Sequence, residues 1–156
     1  MISSLTKADL YLKIFGLTKI PLLWFCRPKI IYLDEKSVEI KIPLKRRTKN
    51  HLGSMYFGAL SVGADITGGF LAMICIQNSK RKVALIFKDF KADFLKRAEG
   101  DVHFRCNQGS DIIKLVEKTI DSGQRENMIV NIDAYVPSIS DDIVANFELT
   151  LSLKEK

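Results

Sequence analysis

The sequence predicts a single α+β domain in which a curved, mainly antiparallel sheet closes around one apolar helix. Three observations predict it. The stretch NHLGSMYFGALSVGADITGGF, from Asn50 to Phe70, carries apolar residues at helical spacing nearly all round, as a helix wrapped by other structure does. The second half of the chain holds long runs that alternate apolar and polar with period two. The element order is helix, strand, buried helix, then strands interrupted by one outer helix, which fits α+β rather than repeated βαβ units. With 156 residues, 47% hydrophobic and 27% charged, the chain can bury one continuous core. The domain is expected to span residues 1–156, with a helical lead-in over about the first thirty.

Taken in order, Thr6 to Asp9 reads as a capping-box-like start for a short helix bearing Leu10, Ile14 and Phe15, which stops near Gly16. Pro21 and Pro28 then keep the chain irregular. Val38, Ile40, Ile42 and Leu44 alternate with Glu39 and Lys41, the pattern of a half-buried strand. A basic loop leads into the apolar helix, which Gly68 and Gly69 are expected to end. Phe70 to Gln77, Val83 to about Ala98, and Val102 to Asn107 read as strands. The second of these switches parity after Val83, Leu85 and Phe87 to Phe90, Ala92 and Phe94, so a bulge falls near Lys88. Ser110 to Ser122 reads as an amphipathic outer helix, capped by Ser110, stopped by Gly123, with Ile112, Ile113, Val116 and Ile120 on one side. Two long alternating strands close the chain, one over Met128 to Ala134 and one over Ile143 to Leu153.

Composition excludes several classes. No segment approaches the ~18 uninterrupted apolar residues of a membrane span, and the start lacks a signal-peptide layout. Cys26, Cys75 and Cys106 have neither disulfide nor zinc spacing, which points to a reduced, cytoplasmic protein with no metal and no cofactor. The net charge of +6 permits an anionic partner. Basic residues cluster at Lys45, Arg46, Arg47 and Lys49, and again at Lys80, Arg81 and Lys82. Neither cluster carries the interleaved aromatic platform of a nucleic-acid site.

The residue that asks for an explanation is Asp65, a lone carboxylate near the expected end of the apolar helix. Burying it unpartnered is costly, and the negative end of a helix is the worst terminus for it. Either loop amides or Thr67 satisfy it, or the protein uses it.

Asn50, Gly53, Tyr56, Phe57, Gly58 and Asp65 resemble, in spacing, a motif of the hotdog-fold thioesterases, in particular the phenylacetate-pathway type and its relatives. There the pattern is Asn, two residues, Gly, two residues, His-Gly-Gly, then a helix with an acid nine positions after the His. The IPLKRRTKN lead-in, the FLKRAEGDV segment and the two long terminal strands extend the likeness over about two thirds of the chain. The resemblance implies a hotdog fold, hydrolysis of an acyl thioester such as acyl-CoA, and a site assembled between the chains of a dimer or larger oligomer. It makes Asp65 the acid that activates water or attacks directly, Asn50 a side chain that helps hold the nucleophile, and the Phe57 or Gly58 amide the donor that polarises the carbonyl. Amides at a helix start suit that task because they lack intrahelical partners.

Other readings stand beside these. Asn50 also suits a turn or cap before the helix. Tyr56 and Phe57 replace the family's His and first Gly, and two large rings there suit pocket lining. If they close the reactive corner, the protein is a non-catalytic binder of a fatty acyl ligand. The loop from Lys45 to Lys49 suits the phosphates of coenzyme A, anionic lipid heads, or simple solvation. His51 and His103 read as a loop residue and an outer-face strand residue, and Cys75 and Cys106 as core.

Overall fold

The computed structural model describes residues 4–156. Its elements are α1 (Ser4–Thr18), α2 (Pro21–Cys26), β1 (Lys29–Leu33), β2 (Val38–Ile42), α3 (Phe57–Ser79), β3 (Val83–Phe94), β4 (Val102–Cys106), α4 (Gly109–Ser122), β5 (Glu126–Tyr135) and β6 (Ile143–Glu155). The strands form one six-stranded sheet in the order β1-β2-β4-β5-β6-β3, every neighbouring pair antiparallel. The sheet's inner face packs on α3: Val38, Ile40 and Ile42 of β2, Phe104 of β4, and Val130 and Ile132 of β5 are fully buried. This is the hotdog fold.

The largest departure from the sequence reading is the length of α3. Gly68 and Gly69 do not end it; the helix runs on to Ser79, absorbs the strand expected over Phe70 to Gln77, and is capped by Lys80 in the left-handed conformation. A helical glycine costs about 1 kcal/mol relative to alanine. Here close approach offsets it, because a Cβ on Gly68 would lie 3.2 Å from Ile132 and Val130. Asp65 therefore sits in the middle of a helix, away from the negative terminus. By length and composition α3 is the one described helix that suits a membrane span, but 67% of its most apolar window is buried within the fold, so it is the core helix.

The lead-in is more ordered than expected. α1 includes Ser4, ahead of the expected start at Thr6, and continues past Gly16, where a Cβ would lie 3.0 Å from the Trp24 amide nitrogen of α2. Asp9 accepts the Ile30 N–H at 3.0 Å and so ties α1 to β1. Pro21 opens α2 at its first turn, where a missing N–H is harmless, and β1 follows Pro28 directly. The outer helix starts one residue early, with Gln108 and not Ser110 at the N-cap, and Gly123 does stop it at φ 63°. The β3 bulge falls between Phe87 and Phe90, as the parity switch requires, although the strand ends at Phe94.

Packing of α3 on the sheet yields a contrast in sign. The place a Gly63 Cβ would occupy is filled by the Phe104 ring. Gly63→Ala is expected to lose ~1 to 3 kcal/mol of stability through overpacking, less the propensity gained. At Gly69 the nearest atom is 3.5 Å away, an ordinary contact, so Gly69→Ala is expected to gain up to ~1 kcal/mol. Urea midpoints of the two variants check this, and equal signs would mean that α3 is not seated on the sheet as described.

Candidate functional site

The loop before α3 is built around Asn50. Its Oδ1 accepts the N–H groups of Leu52 at 2.9 Å and Ser54 at 3.2 Å, and its Nδ2 donates to Ser54 Oγ at 3.1 Å. Gly53 takes φ +84°, a conformation that favours glycine, and lets the turn close. The segment after β3 clamps this loop from outside: Met55 N–H donates to the Ala98 carbonyl at 2.8 Å, and Arg97 Nη2 donates to the Leu52 carbonyl at 2.6 Å. Asn50 thus shapes the turn, and its polar atoms are spent on it.

The turn delivers the chain to Tyr56, the N-cap of α3, so the amides of Phe57 and Gly58 stand at the helix start where no intrahelical acceptor exists. Both rings stay about half exposed, 4.8 Å apart between centroids. The Tyr56 ring lies over Gly58, where a Cβ would come within 2.6 Å of it, while Phe57 meets Phe94 edge-on at 6.5 Å. Tyr56 and Phe57 line one hollow of about 570 Å³ with Asn50, Ser54 and Phe94.

Asp65 belongs to a different space. With Ile66, Gly69, Met73, Ile76 and Gln77 it forms a stripe along α3 that walls an apolar cavity of about 640 Å³. The other walls are Tyr11 and Phe15 of α1, Ile20, Leu23 of α2, and Leu85, Ile86 and Phe87 of β3. Asp65 has no hydrogen bond and no ion pair among the described residues, and the buried Thr67 hydroxyl is itself without a partner. Burial raises the Asp65 carboxyl above its ordinary value. An acid of this kind, facing an apolar cavity, is suited to hold and release a proton.

The two halves do not meet within one chain. Eight helical residues put Phe57 and Asp65 about 12 Å apart along the axis, whereas a carbonyl donor and a water-activating base both work at about 3 Å from reacting atoms. The two hollows share no lining residue. The basic loop forms a third place: Lys45, Arg46 and Arg47 border a shallow depression with Phe25 and Arg27, and all three are exposed. The buried Thr48 holds the loop, donating to the Pro43 carbonyl at 2.6 Å and accepting the Lys45 N–H at 3.0 Å. Lys49 is exposed beside it. Among the described residues no cluster of His, Cys, Asp and Glu suits a metal ion.

Sequence reasoning missed most of the cavity wall. Tyr11, Phe15, Ile20 and Leu23 come from a stretch read as a short helix and irregular chain. Met73, Ile76 and Gln77 come from one read as a strand, and Gly69 from the expected end of the helix before it. The available signal was their spacing of four, eight, eleven and twelve from Asp65, one stripe of a continuous helix.

The fold is shared with solved structures of low sequence identity. A putative thioesterase from Shewanella oneidensis superposes with a TM-score of 0.80 at 12% identity, covering 95% of this chain and 98% of that one. A protein of unknown function from Pseudomonas aeruginosa, described as a probable thioesterase, gives 0.76 at 22% identity and 95% of each chain. A thioesterase from Haemophilus influenzae gives 0.68 at 17%, covering 91% of this chain and 88% of that one. No curated protein matches. The family described as domain of unknown function DUF4442 matches residues 10–153. That span takes in the cavity, the loop, the first five strands and nearly all of β6, and the chain belongs to this family.

Proposed function

We propose that the protein hydrolyses an acyl thioester, with acyl-CoA as the leading substrate, at a site completed by two chains. The observation that carries this reading is Asp65: an unpartnered carboxylate with a raised pKa on the wall of an apolar cavity. In the proposed reaction the ionised Asp65 takes a proton from water, and the water oxygen attacks the thioester carbonyl. The helix-start amides of Phe57 and Gly58 from the second chain receive the developing oxyanion. The tetrahedral intermediate collapses, the carbon–sulfur bond breaks, and the leaving thiolate takes the proton that Asp65 holds, which restores the ionised carboxylate and leaves a carboxylic acid and a thiol. Asn50 keeps the amides in place by fixing the turn, and Tyr56 lines the approach. Lys45, Arg46, Arg47 and Lys49 meet the coenzyme A phosphates, and the acyl chain follows the α3 stripe from Asp65 toward Gln77. A panel of acyl-CoA thioesters of increasing chain length, read by thiol release beside ligand binding, tests this. No thiol release from any member would overturn it.

The two-chain site requires at least a dimer. β3 is an edge strand of twelve residues with Ile86, Phe90 and Phe94 exposed, and pairing would cover both its free backbone groups and this apolar surface. Light scattering is expected to give at least twice 17.7 kDa. A folded monomer at micromolar concentration would sink the shared site.

One observation favours a second reading, the binding of an acyl ligand without turnover. The Tyr56 ring lies over Gly58 at the helix start, with the Phe57 ring beside it at 4.8 Å between centroids. Tight binding of acyl-CoA without thiol release in the same panel would select it.

A further inference from the structure

We propose that the outward face of α1 and α2 docks on an anionic lipid surface and sets the apolar cavity against the membrane. α1 is apolar on two opposite sides. Ala8, Leu12 and Gly16 are buried, whereas Leu10, Ile14 and Leu17, at 52 to 56% exposure, form a second stripe. Lys7 and Lys13 lie three positions to either side of Leu10 and so flank that stripe. α2, PLLWFC, carries no charge and exposes Leu22, Trp24 and Phe25. The result is an exposed apolar face on each of the two described helices of the lead-in.

The charges around it are mostly basic. From Ser4 to Lys29 there are five basic residues and a single acid, Asp9. Asp9 is turned inward, paired with Lys13 at 2.7 Å and accepting the Ile30 N–H. The guanidinium of Arg27 lies 5.2 Å over the Trp24 ring, and that of Arg47 lies 5.5 Å over Phe25. An apolar centre with aromatic residues and a basic rim matches the boundary between acyl chains and anionic headgroups. A second copy of this face would instead set basic rim against basic rim in a chain of net charge +6.

The same helices supply Tyr11, Phe15 and Leu23 to the cavity wall, and Ile20 between them joins it. A docked protein would thus hold its cavity one helix layer from the lipid. This inference borrows only the cavity from the thioesterase reading and stands or falls on its own.

The experiment is flotation of the full chain with vesicles of phosphatidylcholine, with and without phosphatidylglycerol. The parent is expected to float with the anionic vesicles and little with the neutral ones. Binding should weaken as salt shortens the screening length from about 10 Å to about 3 Å. The triple variant Leu10→Gln, Ile14→Gln, Leu17→Gln keeps good helix formers and is expected to lose at least about tenfold in binding. Lys7→Gln with Lys19→Gln should weaken binding to anionic vesicles only. Thermal melts and light scattering on the same variants keep the result readable. No flotation by the folded parent overturns the proposal. So does a triple variant that binds vesicles normally, or one that falls to a smaller oligomer, which would make this face a contact between copies.

Discussion

Asp65→Asn is expected to leave the protein at least as stable as the parent while cutting thioester hydrolysis by ~100-fold or more, the lower range for loss of a positioned base. The side chains have the same shape, so the effect isolates the charge. Among the described residues no donor reaches this carboxylate, and burial raises its pKa above the ordinary 3.8. Removing such a charge costs no hydrogen bond, and a gain of up to ~1 kcal/mol is the usual scale for relieving a site of this kind. The pH dependence has a definite sign. Because the folded value is the higher one, the folded state binds the proton more tightly, and the contribution of Asp65 is fully present below pH 3.8. It is lost as the pH rises through the folded value, so the advantage of the Asn variant should open on leaving acid and then level off. Activity should run the other way, rising in the parent as Asp65 ionises. Melts and turnover across pH on both proteins check this. A destabilised variant with near-normal turnover per folded molecule would remove Asp65 from catalysis.

That prediction depends on a feature the sequence misplaced. The residues from Phe70 to Gln77 are rich in Ile, Phe and Cys and follow two glycines, so local preference reads them as a strand. Tertiary packing outweighs that preference: Phe70, Leu71 and Ala72 are buried and Met73 to Ile76 half-buried, and the same packing makes α3 apolar nearly all round. The long alternating strands were legible because each has one face on the core: Val130 and Ile132 point in, and Ile129 and Asn131 point out. The β3 bulge was legible for the same reason, since a parity switch records which face is buried. The site was legible only in its motif. Its walls come from Tyr11 through Phe87, and contacts over such separations leave no periodic trace. The same holds for the outer face of the sheet, where Glu39 looked like the polar half of an alternating strand and is in fact 8% exposed.

Glu39→Ala is accordingly expected to be among the most destabilising single changes on the sheet, at ~2 to 4 kcal/mol. The register sets Glu39 of β2 opposite Arg105 of β4, and His103 of β4 opposite Tyr135 of β5. One carboxylate therefore ties three neighbouring strands. It accepts the Tyr135 hydroxyl at 2.7 Å and Arg105 Nε and Nη2 at 3.0 and 2.8 Å, and it meets His103 Nδ1 at 2.6 Å. An ionised carboxylate only accepts, so Nδ1 carries the proton. Arg105 is half exposed and can turn to water, which keeps the expected loss below the sum of four charged hydrogen bonds. His103 and Tyr135 have less room to turn, and Tyr135, pushed up to about 12 by burial and by its bond to Glu39, would keep a hydroxyl without its acceptor. Burial alone would raise the Glu39 carboxyl, but the bonds from His103, Tyr135 and Arg105 outweigh it and hold the group below its ordinary 4.5. Its stabilisation is therefore present above pH 4.5 and lost as the pH falls through the folded value, the reverse of Asp65. Urea unfolding of Glu39→Ala and the parent should show the full difference near neutrality and a smaller one in acid. A difference that stays constant with pH would assign the loss to packing on β2, because only the ionised carboxylate can account for a gap that closes on protonation.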